Sequence, residues 1–242
     1  MKRIVVLAVI MGLLCNYSYT IPAYANPSEQ FTVGAALPGS GTAINNSGIA
    51  DSDGVFHINI PTAYTPGIGF YSIGFYSGGH HTGKRNKIDN SIGYLSAGFG
   101  ENTRVFGSVA IYEKDWQDSI TFNGQVELLN QKDQNMPAFA IGCQDIFNNV
   151  DFSLYGIATY KIYSTIMPVY LSAGYGGGRF INRLFGGLSA PIADSANIAL
   201  EYDGFQFNFG IGYKPDGRFG RFTILGGYND ESGIMLGASY NF

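Results

Sequence analysis

The chain has 242 residues, a formal net charge of −4, 34 glycines, 15% aromatic residues and only 13% charged residues. A soluble domain carries about 25% charged residues, and a disordered chain lacks Tyr and Phe in such number, so both classes fit poorly. No basic stripe runs through the sequence, which argues against a nucleic-acid partner.

Lys2 and Arg3 precede an apolar run from Ile4 to Leu14, and Ala23-Tyr24-Ala25 follows as a small-x-small cleavage site. This reads as a secretory signal peptide spanning 1–25, because the run is too short to cross a bilayer as a helix. Cys15 invites a lipoprotein reading, but Leu14 stands where a small residue is needed before a lipidated Cys. Beyond residue 25 the one Cys is Cys143, so no internal disulfide is expected, and its apolar strand suits packing or lipid contact better than catalysis.

Residues 26–66 form a loop-rich N-terminal segment. Ser40 to Asp53 abounds in Gly, Ser, Asn and Asp, and Phe56 to Ile60 could form a short strand ended by Pro61. Three placements are open for this segment: against the barrel described next, inside its lumen, or as two added strands.

From residue 67 onward the period is 2. The clearest strand runs from Phe205 to Tyr213, where Phe205, Phe207, Phe209, Ile211 and Tyr213 alternate with Gln206, Asn208, Gly210 and Gly212. The strand before it alternates Ala196, Ile198, Leu200 and Tyr202 with Asn197, Ala199, Glu201 and Asp203, and Asp203-Gly204 suggests a tight hairpin between them. Ser119, Thr121, Asn123, Gln125 and Glu127 form a polar face opposite Ile120, Phe122, Val126 and Leu128. Further strands fall near 67–77, 91–100, 103–113, 136–144, 151–162, 167–176, 181–189, 220–229 and 232–242. The expected fold is all-β, a transmembrane antiparallel barrel over 67–242 with about 12 strands, ten to fourteen being open. In lipid each unpaired backbone group costs several kcal/mol, and closure alone removes both sheet edges.

The last strand exposes Ile234, Leu236, Ala238, Tyr240 and Phe242 on one face, with neither charge nor Pro to blunt its edge. Gly237, Tyr240 and Phe242 resemble the C-terminal signal read by the barrel-assembly machinery. The expected location is therefore the outer membrane of a Gram-negative-type envelope, with outer-membrane lipids and that machinery as partners. With the C-terminus on the periplasmic side, most outer connections are short, which favours a lumen over gripping loops.

Little in the sequence carries catalytic chemistry. Gly78-Gly79-His80-His81-Thr82-Gly83-Lys84-Arg85 nearly matches a phosphate-binding loop, but Arg85 replaces the Ser or Thr that would hold magnesium, and no helix pattern follows. A charged outer loop is the better reading, and Lys84 and Arg85 would suit lipopolysaccharide phosphates there. His80 and His81 point to opposite faces of an extended chain, which leaves His57 without a ready pair of partners for a metal. A His paired with Asp or Glu is the weaker, enzymatic alternative, since no motif selects a nucleophile. No cofactor, metal or catalytic residue is expected. Ser119, Thr121, Asn123, Gln125, Glu127, Asn197, Glu201, Gln206 and Asn208 are the expected lumen-lining set, with Asp145 and Asp203 at strand ends.

Met136-Pro137-Ala138-Phe139-Ala140-Ile141-Gly142-Cys143-Gln144-Asp145-Ile146-Phe147 resembles the Pro-x-x-Ala-x-Gly-x-x-Asp strand and turn of the YjbH-like exopolysaccharide-biosynthesis barrel family. Leu200-Glu201-Tyr202-Asp203-Gly204 with Phe207-Asn208-Phe209-Gly210 resembles its late hairpin, and Ile60-Pro61-Thr62-Ala63 an early element. The resemblance implies a non-enzymatic barrel supporting synthesis, export or secretion of an extracellular polysaccharide, with polysaccharide and export proteins as further partners. Many members of that family are larger than this chain. The alternative is a passive small-solute pore, porin-like, or a structural barrel.

Overall fold

The computed structural model describes residues 36–78, 90–114, 117–131, 136–149, 152–163, 167–204, 206–215, 221–229 and 233–242. The expected signal peptide, residues 26–35 and the stretch with His80, His81, Lys84 and Arg85 lie outside them.

Twelve strands close into one barrel: β1 (Tyr71–Gly78), β2 (Asn90–Phe99), β3 (Val105–Lys114), β4 (Gln117–Leu129), β5 (Ala138–Gln144), β6 (Ser153–Ile162), β7 (Val169–Gly176), β8 (Arg183–Ala193), β9 (Ala196–Tyr202), β10 (Phe207–Tyr213), β11 (Phe222–Asn229) and β12 (Gly233–Asn241). Each strand pairs antiparallel with its sequence neighbours. The ring closes where β1 meets β12, in a register that sets Phe75 opposite Ala238 and Ile73 opposite Tyr240. Closure leaves no edge, which is the condition for a sheet in lipid. We call the end where β1 begins and β12 finishes the near end, and the opposite one the far end.

Alternation sorts the side chains. Phe207, Phe209, Ile211 and Tyr213 of β10 point outward while Asn208 is buried inside. Each of the twelve strands presents large apolar side chains on the exterior, among them Phe75, Leu95, Ile111, Phe122, Phe139, Leu154, Leu171, Leu188, Leu200, Ile224 and Leu236. That continuous apolar belt is the surface of a barrel immersed in hydrocarbon. Two ladders shift register, between Glu127 and Leu129 on β4 and between Pro191 and Ala193 on β8. The second follows from Pro191, which has no amide to give the ladder and is accommodated by a bulge.

Two local expectations are corrected. Asp203-Gly204 does not make a two-residue turn: β9 ends at Tyr202 and β10 starts at Phe207, with Asp203 N donating to Gln206 O at 3.2 Å across a longer connection. Phe56–Ile60 is not a strand of the sheet, and makes one isolated bridge, Ser40 with His57.

Of the open placements for the N-terminal segment, the lumen is the one observed over residues 36–66. Val55, Phe56, His57, Ile58, Asn59, Ile60, Thr62, Ala63, Tyr64 and Thr65 have no exposed surface. From Ala36 the chain turns through a hairpin at 45–51 by the near end. It then climbs to a tip at Asn59 and descends to Gly67, a few residues before β1 starts at Tyr71.

Candidate functional site in the barrel lumen

An irregular segment inside a barrel has backbone amides and carbonyls that no ladder satisfies, and burying them unpaired is costly. Here the wall supplies the partners. Phe56 N donates to Ser189 Oγ at 2.9 Å, and Ala63 N to Thr159 Oγ1 at 2.9 Å. Gln125 Nε2 donates to Thr62 O at 2.9 Å, and Asn197 Nδ2 to Ser52 O at 2.8 Å and Gly54 O at 3.1 Å. On the first arm, Ser108 Oγ donates to Ala36 O at 2.7 Å, Tyr76 Oη to Ser40 O at 3.0 Å, and Thr42 Oγ1 meets Ser239 Oγ at 2.7 Å.

The apolar side chains of the segment have their own sockets. Gly210 and Gly212 face inward on β10, and a Cβ on them would stand 2.3 Å from Ile58 Cδ1 and 2.8 Å from Phe56 Cε2. Gly187 on β8 leaves similar room for His57 and Ile60. The cavity left between the segment and the wall beside Phe56, Asn197 and Gly212 is about 10 Å³. That is space for one water at most.

The tip is held by charge. Both oxygens of the Glu201 carboxylate accept backbone amides: Ile58 N at 3.1 Å and Asn59 N at 2.6 Å. From the other side Arg179 donates through Nη2 to Asn59 O at 2.8 Å and through Nη1 to Gln144 Oε1 at 3.3 Å. Asn59 Nδ2 reaches Asp203 Oδ2 at 3.3 Å. Arg179 sits on the 3-10 turn Gly178–Phe180 between β7 and β8, its guanidinium 5.1 Å over the Phe180 ring. Burial works against its charge and lowers its pKa, and Asp203 opposes that most strongly. Its Nε has no hydrogen-bond partner among the described residues.

A Ser, a His and a Glu also meet here. His57 Nε2 lies 2.9 Å from Ser172 Oγ on β7, and His57 Nδ1 lies 3.5 Å from Glu201 Oε2. This has the connectivity of a nucleophile, base and orienting carboxylate, but the geometry argues against that use. The Nδ1 contact is too long for a hydrogen bond, and both Glu201 oxygens already accept amides. Ser172 Oγ also bonds Thr159 Oγ1 at 3.0 Å, and His57 is wholly buried with no space for a substrate carbonyl. His57 moreover rides on the lumenal segment, so any movement that admits a substrate takes the base away. Despite the nearby carboxylate, burial dominates and lowers the His57 pKa to about 3, leaving a neutral ring.

The residues singled out from sequence are thus distributed as follows. Thr121, Asn123, Gln125, Asn197, Glu201 and Asn208 are buried on the inner face, whereas Ser119 is half-buried. Glu127 pairs with Arg104 at 3.3 Å near the near end, and Gln206 lies in the β9–β10 connection, where its N donates to Asp203 Oδ1 at 3.1 Å. Gly237, Tyr240 and Phe242 are on or just past β12, with Tyr240 and Phe242 half-exposed or exposed. Cys143 is free and faces outward from β5. Arg179, Asn59 and the wall glycines were not singled out. Inward-facing glycines in an otherwise polar wall are the signal that something bulky lies against them. Among the described residues no three metal-ligating side chains cluster.

At the near end a cavity of about 560 Å³ opens below the hairpin, lined by Ile49, Ala50, Ile68, Glu101, Arg104, Lys214, Arg221 and Phe242 among others. Arg104 Nη1 donates to Asn46 O at 2.8 Å and Lys214 Nζ to Ala50 O at 3.2 Å, so cations of this mouth hold the hairpin.

No protein-family model matches the chain, and no curated protein matches it. Among solved structures it is similar to a KdgM porin, at 13% identity with a TM-score of 0.47, over 72% of this chain and 99% of that one. A KdgM porin in complex with disordered oligogalacturonate gives 13% identity and 0.45 over 72% and 99%. A mutant of the Rh. blastica porin gives 9% identity and 0.32 over 72% and 98%. At these identities and scores the likenesses carry no argument about what passes or binds here.

Proposed function

We propose that the protein is a non-enzymatic outer-membrane barrel of the small-solute pore kind, held shut by its own residues 36–66. The supporting observation is the combination of a closed wall with an apolar outside and a lumen filled by a segment of the same chain. Hydrogen bonds and apolar contacts hold that segment. If it leaves, Thr121, Asn123, Gln125, Ser172, Ser189, Asn197 and Asn208 are freed toward water, which makes a hydrated, nearly neutral passage. The near-end mouth already reaches the hairpin from one side.

Planar-bilayer recording tests this reading. The wild-type protein stays closed apart from brief openings, and Gly210→Val, which obstructs the Ile58 socket, raises the open fraction. Folded barrels that never conduct in either form would leave a purely structural barrel instead. A role in extracellular polysaccharide is the second reading. It rests on the Met136–Phe147 and Leu200–Gly210 resemblances, and unchanged surface polysaccharide after deletion of the gene would remove it.

A further inference from the structure

We infer that the lumenal segment is a gate latched at its tip, with Glu201 and Arg179 as the two jaws. This rests on the pore reading above but concerns a separate property, the place where the closed state is held.

At the tip a carboxyl and a guanidinium converge on the backbone of adjacent residues. Glu201 takes the amides of two consecutive residues, Ile58 and Asn59, and Arg179 takes the carbonyl of Asn59. Residue 59 is therefore gripped through both of its main-chain polar groups, and its side chain is held by Asp203. Elsewhere most of the partners to the segment's backbone are neutral hydroxyls and amides, each worth less than a charge-assisted bond. The two jaws come from different elements, β9 and the β7–β8 connection, so they grip the tip only while both elements keep their places.

The rest of the segment is built to follow the tip. The His57 ring touches Ser172, which touches Thr159, which touches Thr62, in steps of 2.9, 3.0 and 3.2 Å. This hydroxyl chain joins the climbing arm to the descending one. Below it, Gly69 has φ of +89° with open space where a Cβ would be, a left-handed position suited to glycine between the segment and β1. Release of the tip frees the climbing arm first, while the hairpin remains tied at the near mouth by Arg104 and Lys214.

Hydrogen exchange on the intact folded protein in lipid nanodiscs tests the latch. Glu201→Gln keeps the shape but removes the charge and one of the two acceptor oxygens. The expected result is exchange on the order of tenfold faster over residues 54–60, the effect of weakening one charge-assisted bond, with strand amides unchanged. Exchange at 54–60 equal to wild type overturns the latch, as does a rise spread evenly through the strands. Arg179→Gln is the second variant should Glu201→Gln not fold, with the same expected pattern. Faster exchange without added conductance would keep the latch and reject the pore. Conductance without faster exchange at 54–60 would do the reverse.

Discussion

The two ends of the lumenal segment are held differently. At the near end the 45–51 hairpin is partly exposed and organised from within: Asn45 Oδ1 accepts Ser47 N at 2.9 Å and Ile49 N at 3.2 Å, and the wall reaches it through the long side chains of Arg104 and Lys214. At the far end the tip has no internal turn of this kind, is fully buried, and depends on Glu201, Arg179 and Asp203 for its partners. A self-supporting turn survives the loss of its wall contacts. A tip whose polar groups are satisfied by buried charge does not. The closed state is therefore decided far from the visible mouth.

Arg179→Met should break this contrast most severely. It removes the Arg179 bond to Asn59 O and the buried cation facing Asp203 and Glu201, a loss of about 3–5 kcal/mol for one partner of a buried charge set. Thermal scans should show a destabilised barrel or one with a permanently accessible lumen. Gly210→Val acts on the same arm through volume, at about 1–3 kcal/mol for overpacking, and bilayer recordings should show more frequent opening.

Acid should act on the climbing arm more gently. His57 is buried neutral, with its pKa lowered from 6.5 to about 3 by desolvation. The released segment takes up a proton at higher pH than the seated one. Seating is thus unaffected above pH 6.5 and weakens as pH falls below it, by about 1.4 kcal/mol per unit down toward 3. Glu201 and Ser172 are the polar groups facing the ring. Conductance measured against pH should rise below 6.5, and His57→Gln should flatten the rise. The smallest effect belongs to Lys214→Ala, a half-exposed contact to one carbonyl, expected to shift seating by at most ~0.5 kcal/mol. A large effect there would erase the distinction between the two ends.

The wall was readable because its chemistry is local. Phe207, Phe209, Ile211 and Tyr213 announce their face through the residues beside them, and twelve such runs imply closure once lipid is the solvent. The path of residues 36–66 has no such period. Phe56 is paired with Ser189 across 133 positions and Asn59 with Glu201 across 142, and nothing near either residue encodes those meetings. The neutral polar inner face was legible, but its use was not. Gln125, Ser189 and Asn197 satisfy a protein backbone where the residue types alone suggest the lining of a wet lumen.

Cysteine accessibility at Ala63 tests the occupied lumen most directly. Ala63 is fully buried on the descending arm, and a thiol there adds little volume. In a Cys143→Ser background, which removes the free cysteine of β5, Ala63→Cys in proteoliposomes should resist a charged thiol reagent until the barrel is unfolded. Labelling as fast as in the unfolded chain would mean that the segment is not seated in the lumen, and the account would fail.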